Sequence, residues 1–172
     1  LPFCDAYPEA DVHGIELGAA LLRYGHARAE SMSKAVHFSQ QNAEHTSFDD
    51  ESFDLVVSCI IFHETSRTAL PKIIAESRRL LKPCGIMVHL EAGQFANFDL
   101  WRQVVFDAET YNNNEPFWST YRDMDLEKVM ADAGWTEGSA HLQLEPFGHS
   151  PATSSNKAQK NMQGFWFMVG QK

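Results

Sequence analysis

His63 and Glu64 follow directly on a continuous apolar, β-branched run, Phe53–Cys59 (FDLVVSC), in a chain of 172 residues. An imidazole beside a carboxylate can take a proton from an acceptor hydroxyl or amine, so the pair is the first catalytic candidate. The same two residues can equally be a plain lead into the next helix, because transfer to an already nucleophilic acceptor needs positioning more than proton abstraction. Glu91 ends a later strand and is a second candidate, at the rim of a site. Beyond it runs an aromatic stretch, Phe95, Phe98, Trp101, Phe106, Tyr111, Phe117, Trp118 and Tyr121. Aromatic faces stabilise cationic groups and exclude water, which makes Trp101, Tyr111 and Trp118 the substrate-side candidates; near-helical spacing is also what a core would show. The eight histidines are scattered, with no pair at helical spacing beside a third ligand, so no metal site is expected. No Ser–His–Asp or paired-carboxylate arrangement can be read from the order of residues.

Positioning these groups requires strands that end near them. Asp11–Glu16 reads as a short buried strand, Gly18–Met32 as a helix with Leu17, Leu21 and Tyr24 on one face, and Ala35–Gln40 as an edge strand. Phe53–Cys59 reads as a strand covered on both faces and central in its sheet. The stretch TALPKIIAESRRLLKPCG predicts a helix with Thr68 as N-cap, Pro71 in its first turn and a stripe of Leu70, Ile73, Ile74, Ser77, Leu80 and Leu81, followed by a strand over Gly85–Leu90. An aromatic-rich helical cap is expected over about 92–122, then a helix over Asp125–Ala133 closed by Gly134. Strands near Ala140–Leu144 and Phe165–Val169 flank a polar loop over Ser150–Gln163. Strand and helix alternate, as in a parallel sheet with helices on both faces, whose ligands bind at the carboxyl ends of the strands.

Composition bounds the function. With 44% hydrophobic and 22% charged residues, the chain fits one globular domain, 1–172. A formal net charge of -9 and only short basic runs argue against nucleic acid or an anionic membrane as partner and favour a small molecule. Cys4, Cys59 and Cys84 have neither metal-ligand nor redox spacing and suggest a reducing, cytoplasmic setting. There is no apolar run of membrane-spanning length. The chain starts at Leu1 rather than Met, which suggests processing or a fragment.

Three pieces in this order, GIEL, NAEHTSFDDESFDLVVS and RRLLKPCG, resemble the class I S-adenosylmethionine-dependent methyltransferases of the small-molecule type. The likeness is good from Asp11 to Glu91 and loose elsewhere. It implies a Rossmann-like three-layer α/β sandwich, mostly parallel, with an antiparallel C-terminal strand and with the first strand missing. It also implies S-adenosyl-L-methionine as cofactor and a small-molecule methyl acceptor. Glu16 would bind the ribose hydroxyls with Leu17 beside it, since a carboxylate accepts two hydrogen bonds from a vicinal diol. Asn42, Ala43 and Glu44 would frame the adenine, and Ser58, Cys59 and Ile60 would offer backbone contacts or simply end their strand. Cys84 stands where the family's turn has its first glycine; a positive φ there would strain a cysteine by about 1 kcal/mol.

The family's first strand and glycine-rich loop, which hold the amino-acid end of the cofactor, are not found, and no G-x-G occurs in the chain. In a sheet of family order 3-2-1-4-5-7-6 that strand is central. The second and fourth strands would then pair directly into a six-stranded sheet, or their edges would recruit another chain, giving a homodimer or swap. The chain as it stands is expected to bind cofactor poorly. A non-catalytic binding or dimerising module is the alternative function, and a nicotinamide-dependent oxidoreductase a lesser one, since an acid ending a strand occurs there too.

Overall fold

The computed structural model describes residues 2–92, 94, 99–136, 138–146 and 164–172. Leu1, Phe95, Phe98 and the Ser150–Gln163 loop lie outside the described residues. The chain divides into two compact units, 1–47 and 48–172.

The first unit holds helix α1 (Pro2–Ala6), strand β1 (His13–Glu16), helix α2 (Ala19–Ser31) and strand β2 (His37–Gln40). β1 and β2 pair in parallel, with His13 opposite His37 and Glu16 opposite Gln40. α2 turns toward the sheet through small residues. A Cβ on Gly25 would stand 3.3 Å from the Phe38 ring, and Ala29 is the helix's buried residue. Leu17, Leu21 and Tyr24, expected inward, are all more than 60% exposed. The inward stripe is therefore Leu22, Gly25 and Ala29, shifted one position by the bulk of Phe38.

The second unit is built on β3 (Phe53–Cys59), α3 (Ala69–Leu80), β4 (Leu81–Ala92), α4 (Leu100–Asn112), α5 (Trp118–Tyr121), α6 (Leu126–Asp132), β5 (Ala140–Pro146) and β6 (Gly164–Gln171). Its sheet runs β3-β4-β6-β5, with β3 parallel to β4 and β6 antiparallel to both its neighbours. The α/β class and the antiparallel C-terminal strand are as the residues imply. α3 buries Leu70, Ile73, Ile74, Ser77 and Leu80, the predicted stripe, and Leu81 behind them opens β4. Its start is held by Ser66, whose hydroxyl accepts from the Ala69 N–H at 3.1 Å, and the Thr68 side chain makes no cap bond. Asp125 caps α6 by accepting from the Lys128 N–H at 2.9 Å, and Gly134 closes it at φ 89°.

Two features depart from expectation. Among the described residues the strands form a two-stranded and a four-stranded sheet, not a six-stranded one. In consequence β3 is an edge strand and not central: Leu55 is 39% and Val57 41% exposed. A run apolar on both faces marks a strand whose faces are covered and does not say how many strands flank it; among the described residues only β4 pairs with it. At the head of β4, Cys84 takes φ 68°, the glycine-favouring conformation foreseen as a strain, while a Cβ on Gly85 would stand 2.9 Å from the Lys82 carbonyl.

Candidate active site

In the first unit, Glu16 closes β1 and accepts the Gly18 N–H on Oε1 at 2.6 Å. That bond fixes the carboxylate at the carboxyl end of its strand and leaves it further lone pairs for a diol. Leu17 is exposed, and its carbonyl accepts from the Gln40 side chain at 2.8 Å. Asn42 Oδ1 accepts the Glu44 N–H at 2.9 Å and the Asn42 carbonyl the His45 N–H at 3.1 Å, a compact turn across Ala43. Asn42 is exposed, and its amide also carries two N–H donors.

In the second unit the chemistry gathers at the carboxyl ends of β3 and β4. β3 leads through Ile60, held at φ 54°, into a 3-10 turn, Phe62–Glu64. A β-branched residue in the left-handed region is strained, and such strain collects where a backbone must be aimed. The Ile60 N–H is anchored on the Leu90 carbonyl at 2.8 Å. Beneath the turn, Glu91 is 2% exposed; its Oε2 accepts the Phe62 N–H and its Oε1 the His63 Nδ1–H, both at 2.5 Å. Glu91, expected at a rim, sits under the histidine as its support. Because Nδ1 carries the proton toward Glu91, Nε2 holds the lone pair and points toward Glu64, 3.7 Å from its Oε1.

Burial pushes the His63 pKa down, but the bond to and charge of Glu91, with the charges of Glu64 and Glu115, outweigh it and hold the group above its ordinary value. Trp118 lies over the imidazole with ring centroids 5.1 Å apart, and Phe106 meets Trp118 edge-on at 5.7 Å. Tyr121, fully buried on α5, is kept a neutral phenol by burial and by the negative charge of Glu91. Glu115 was not foreseen. It enters through the turn between α4 and α5, and no spacing pattern in the sequence marks it. It also lines a cavity of about 360 Å³ with Asp107, Thr110, Tyr111 and Ser119. Trp101, by contrast, is 74% exposed on α4.

The remaining candidates lie along β3. Ser58 Oγ donates to His89 Nδ1 at 2.7 Å, while Ser77 Oγ gives its proton to the Ile73 carbonyl and lies 3.2 Å from His89 Nε2. Those partners set a neutral His89 with its proton on Nε2. Cys59 is exposed.

Residues 1–85 match the family model described as a methyltransferase domain. That segment is just under half of the chain, and it is similar to a methyltransferase domain. It is 31% identical over 112 residues to a ubiquinone/menaquinone biosynthesis C-methyltransferase of Dinoroseobacter shibae, covering 64% of this chain and 43% of that protein. A protein of the same name from Bartonella tribocorum is 28% identical over 101 residues, 57% of this chain and 37% of the other. The chain thus spans well under half the length of these curated relatives. Among solved structures, a methyltransferase from Methanosarcina mazei superposes with a TM-score of 0.67 at 18% identity, over 100% of this chain and 86% of the other. The phosphoethanolamine N-methyltransferase 2 of Haemonchus contortus, solved with S-adenosylhomocysteine, gives 0.69 at 15% identity over 99% and 45%. At these identities the likeness shows the fold.

Of the two solved structures, one is described as a SAM-dependent methyltransferase and the other holds S-adenosylhomocysteine, so the cofactor to test against the site is S-adenosylmethionine. The donor set of the first unit fits its nucleoside half: a carboxylate fixed at a strand end for the ribose, and an amide donor on a tight turn for the adenine edge. No described helix is long and apolar enough to cross a membrane.

Proposed function

We propose that the protein serves methyl transfer from S-adenosylmethionine to a small-molecule acceptor. Glu16 takes the ribose and Asn42–Glu44 the adenine. Ser58–Ile60 contribute backbone groups at the end of β3. In the transfer the acceptor's lone pair forms the new bond to the methyl carbon, the sulfonium sulfur keeps the electron pair of the broken bond, and the acceptor's proton passes to His63 Nε2. Glu91 holds the imidazole in the tautomer that can receive it, and Trp118 shields that face from water. The observation that supports this most is the Glu91–His63 bond, 2.5 Å long and buried, at the ends of two adjacent parallel strands.

On this reading the chain holds the nucleoside half of the cofactor more firmly than the amino-acid half, and the chain alone binds it weakly. The test is calorimetric titration of the 172-residue chain with S-adenosylmethionine and with adenosine. Comparable weak affinities are expected; tight binding of S-adenosylmethionine alone would show that the amino-acid end is held as well. The free apolar edge of β3 favours a second reading, a module that dimerises or binds a strand. Sedimentation velocity separates it, since a purely enzymatic monomer keeps one boundary at all concentrations.

A further inference from the structure

His63, Glu64 and Glu115 each bring a ligand atom within 4.8 Å of the other two. The imidazole is already oriented as a metal-bound one is: Nδ1–H is given to a buried carboxylate, Glu91, and Nε2 lies 3.7 Å from Glu64 Oε1. Glu115 Oε2 has almost no accessible surface and no hydrogen-bond partner among the described residues, a costly state for a carboxylate oxygen unless a cation meets it. Three carboxylates, Glu64, Glu91 and Glu115, surround this one imidazole, so the cluster is anionic even with the imidazole protonated.

We propose that His63, Glu64 and Glu115 form a binding site for a divalent transition-metal ion. One nitrogen and two carboxylate ligands suit Zn²⁺ or Mn²⁺ and not Ca²⁺ or Mg²⁺, which favour oxygen alone. Ligand bonds of about 2.1 Å put neighbouring donors about 3.4 Å apart in a tetrahedral site. The cluster needs a closure of up to about 1.4 Å, toward which the Glu64 side chain, 55% exposed, can rotate. Three protein ligands leave a position open toward a water or an acceptor's oxygen or nitrogen. The ion and a proton compete for the same Nε2 lone pair; with the ion bound, activation of the acceptor passes from a base to a Lewis acid. The site stands on geometry alone and does not depend on methyl transfer.

The test is titration of the full chain with Mn²⁺, reading free ion by electron paramagnetic resonance, with Zn²⁺ as competitor. Mn²⁺ is chosen because Cys59 and Cys84 are exposed thiols that would take Zn²⁺ directly. One Mn²⁺ per chain, displaced by Zn²⁺, is expected. Glu115→Gln and Glu64→Gln should each weaken binding about tenfold or more, and Glu91→Gln by roughly 10–100-fold through the imidazole it orients. His63→Ala should abolish it, with far-ultraviolet circular dichroism checking the fold of each variant. Absence of Mn²⁺ uptake by the parent chain, or affinity unchanged in Glu115→Gln and Glu64→Gln, overturns the proposal. Ions held instead by the surface group His13, His37 and Asp11 would survive all these substitutions and count against it.

Discussion

Two histidines in the second unit have opposite electrostatic fates, and each can be checked at its own side chain. His63 is surrounded by carboxylates, whereas His89 lies among Ser58, Ser77 and the Phe62 ring, where burial lowers its pKa to about 4. The folded state therefore favours neutral His89. Its contribution is fully present above the ordinary histidine value of about 6.5 and is lost as pH falls from there through about 4, at most about 3 kcal/mol. Urea midpoints measured across that window should fall less for His89→Gln than for the parent; parallel slopes would show that His89 does not carry the effect. At Glu16, replacement by Ala removes the acceptor proposed for the ribose, and a loss of about 1–3 kcal/mol of nucleoside binding is expected by calorimetry. His63, Glu64 and Glu16 are legible in the sequence because each directly follows or ends a recognisable strand. Glu115 is not, since only the turn between α4 and α5 brings it in. The support given by Glu91 is equally hidden, because a strand-end acid looks the same whether it faces solvent or a neighbour.

The elements follow local chemistry closely, and the exceptions have local causes. α3, β3, α6 and the last two strands were readable from periodicity and caps. The inward face of α2 was not, because Gly25 and Ala29 are the residues small enough to meet Phe38, and hydrophobicity alone points to Leu21 and Tyr24. Cys84 at φ 68° lets the strain be measured: Cys84→Gly should stabilise the second unit by about 1 kcal/mol in urea unfolding, and a loss would mean the side chain contributes packing that outweighs its backbone cost. Ser66→Ala should cost about 1 kcal/mol by removing the cap of α3, with Thr68→Ala near neutral. The edge of β3 was misjudged for a physical reason, since a run apolar on both faces reports covered faces and not paired edges, and among the described residues only β4 pairs with it. Val57→Lys on that edge should lower concentration-dependent association in sedimentation, and unchanged association would place the contact elsewhere.

Across the whole chain, the residues of the proposed reading fall in two units: Glu16 and Asn42–Glu44, proposed for the nucleoside, belong to 1–47 and the His63–Glu91 pair to 48–172. The class was legible from three short motifs in order. The division was not, because it arises from pairing, which strand has a neighbour and which has none, and a single strand's composition does not carry that. An acidic net charge of -9 fits a small-molecule methyltransferase and leaves binding to rest on directed hydrogen bonds rather than on steering by a positive surface. The most direct test is amide chemical-shift mapping of the isotope-labelled chain titrated with S-adenosylhomocysteine. Shifts centred on Glu16–Gly18 and Asn42–Glu44, largely abolished in Glu16→Ala, are predicted. Shifts that leave those residues untouched, or that persist unchanged in Glu16→Ala, would contradict the account.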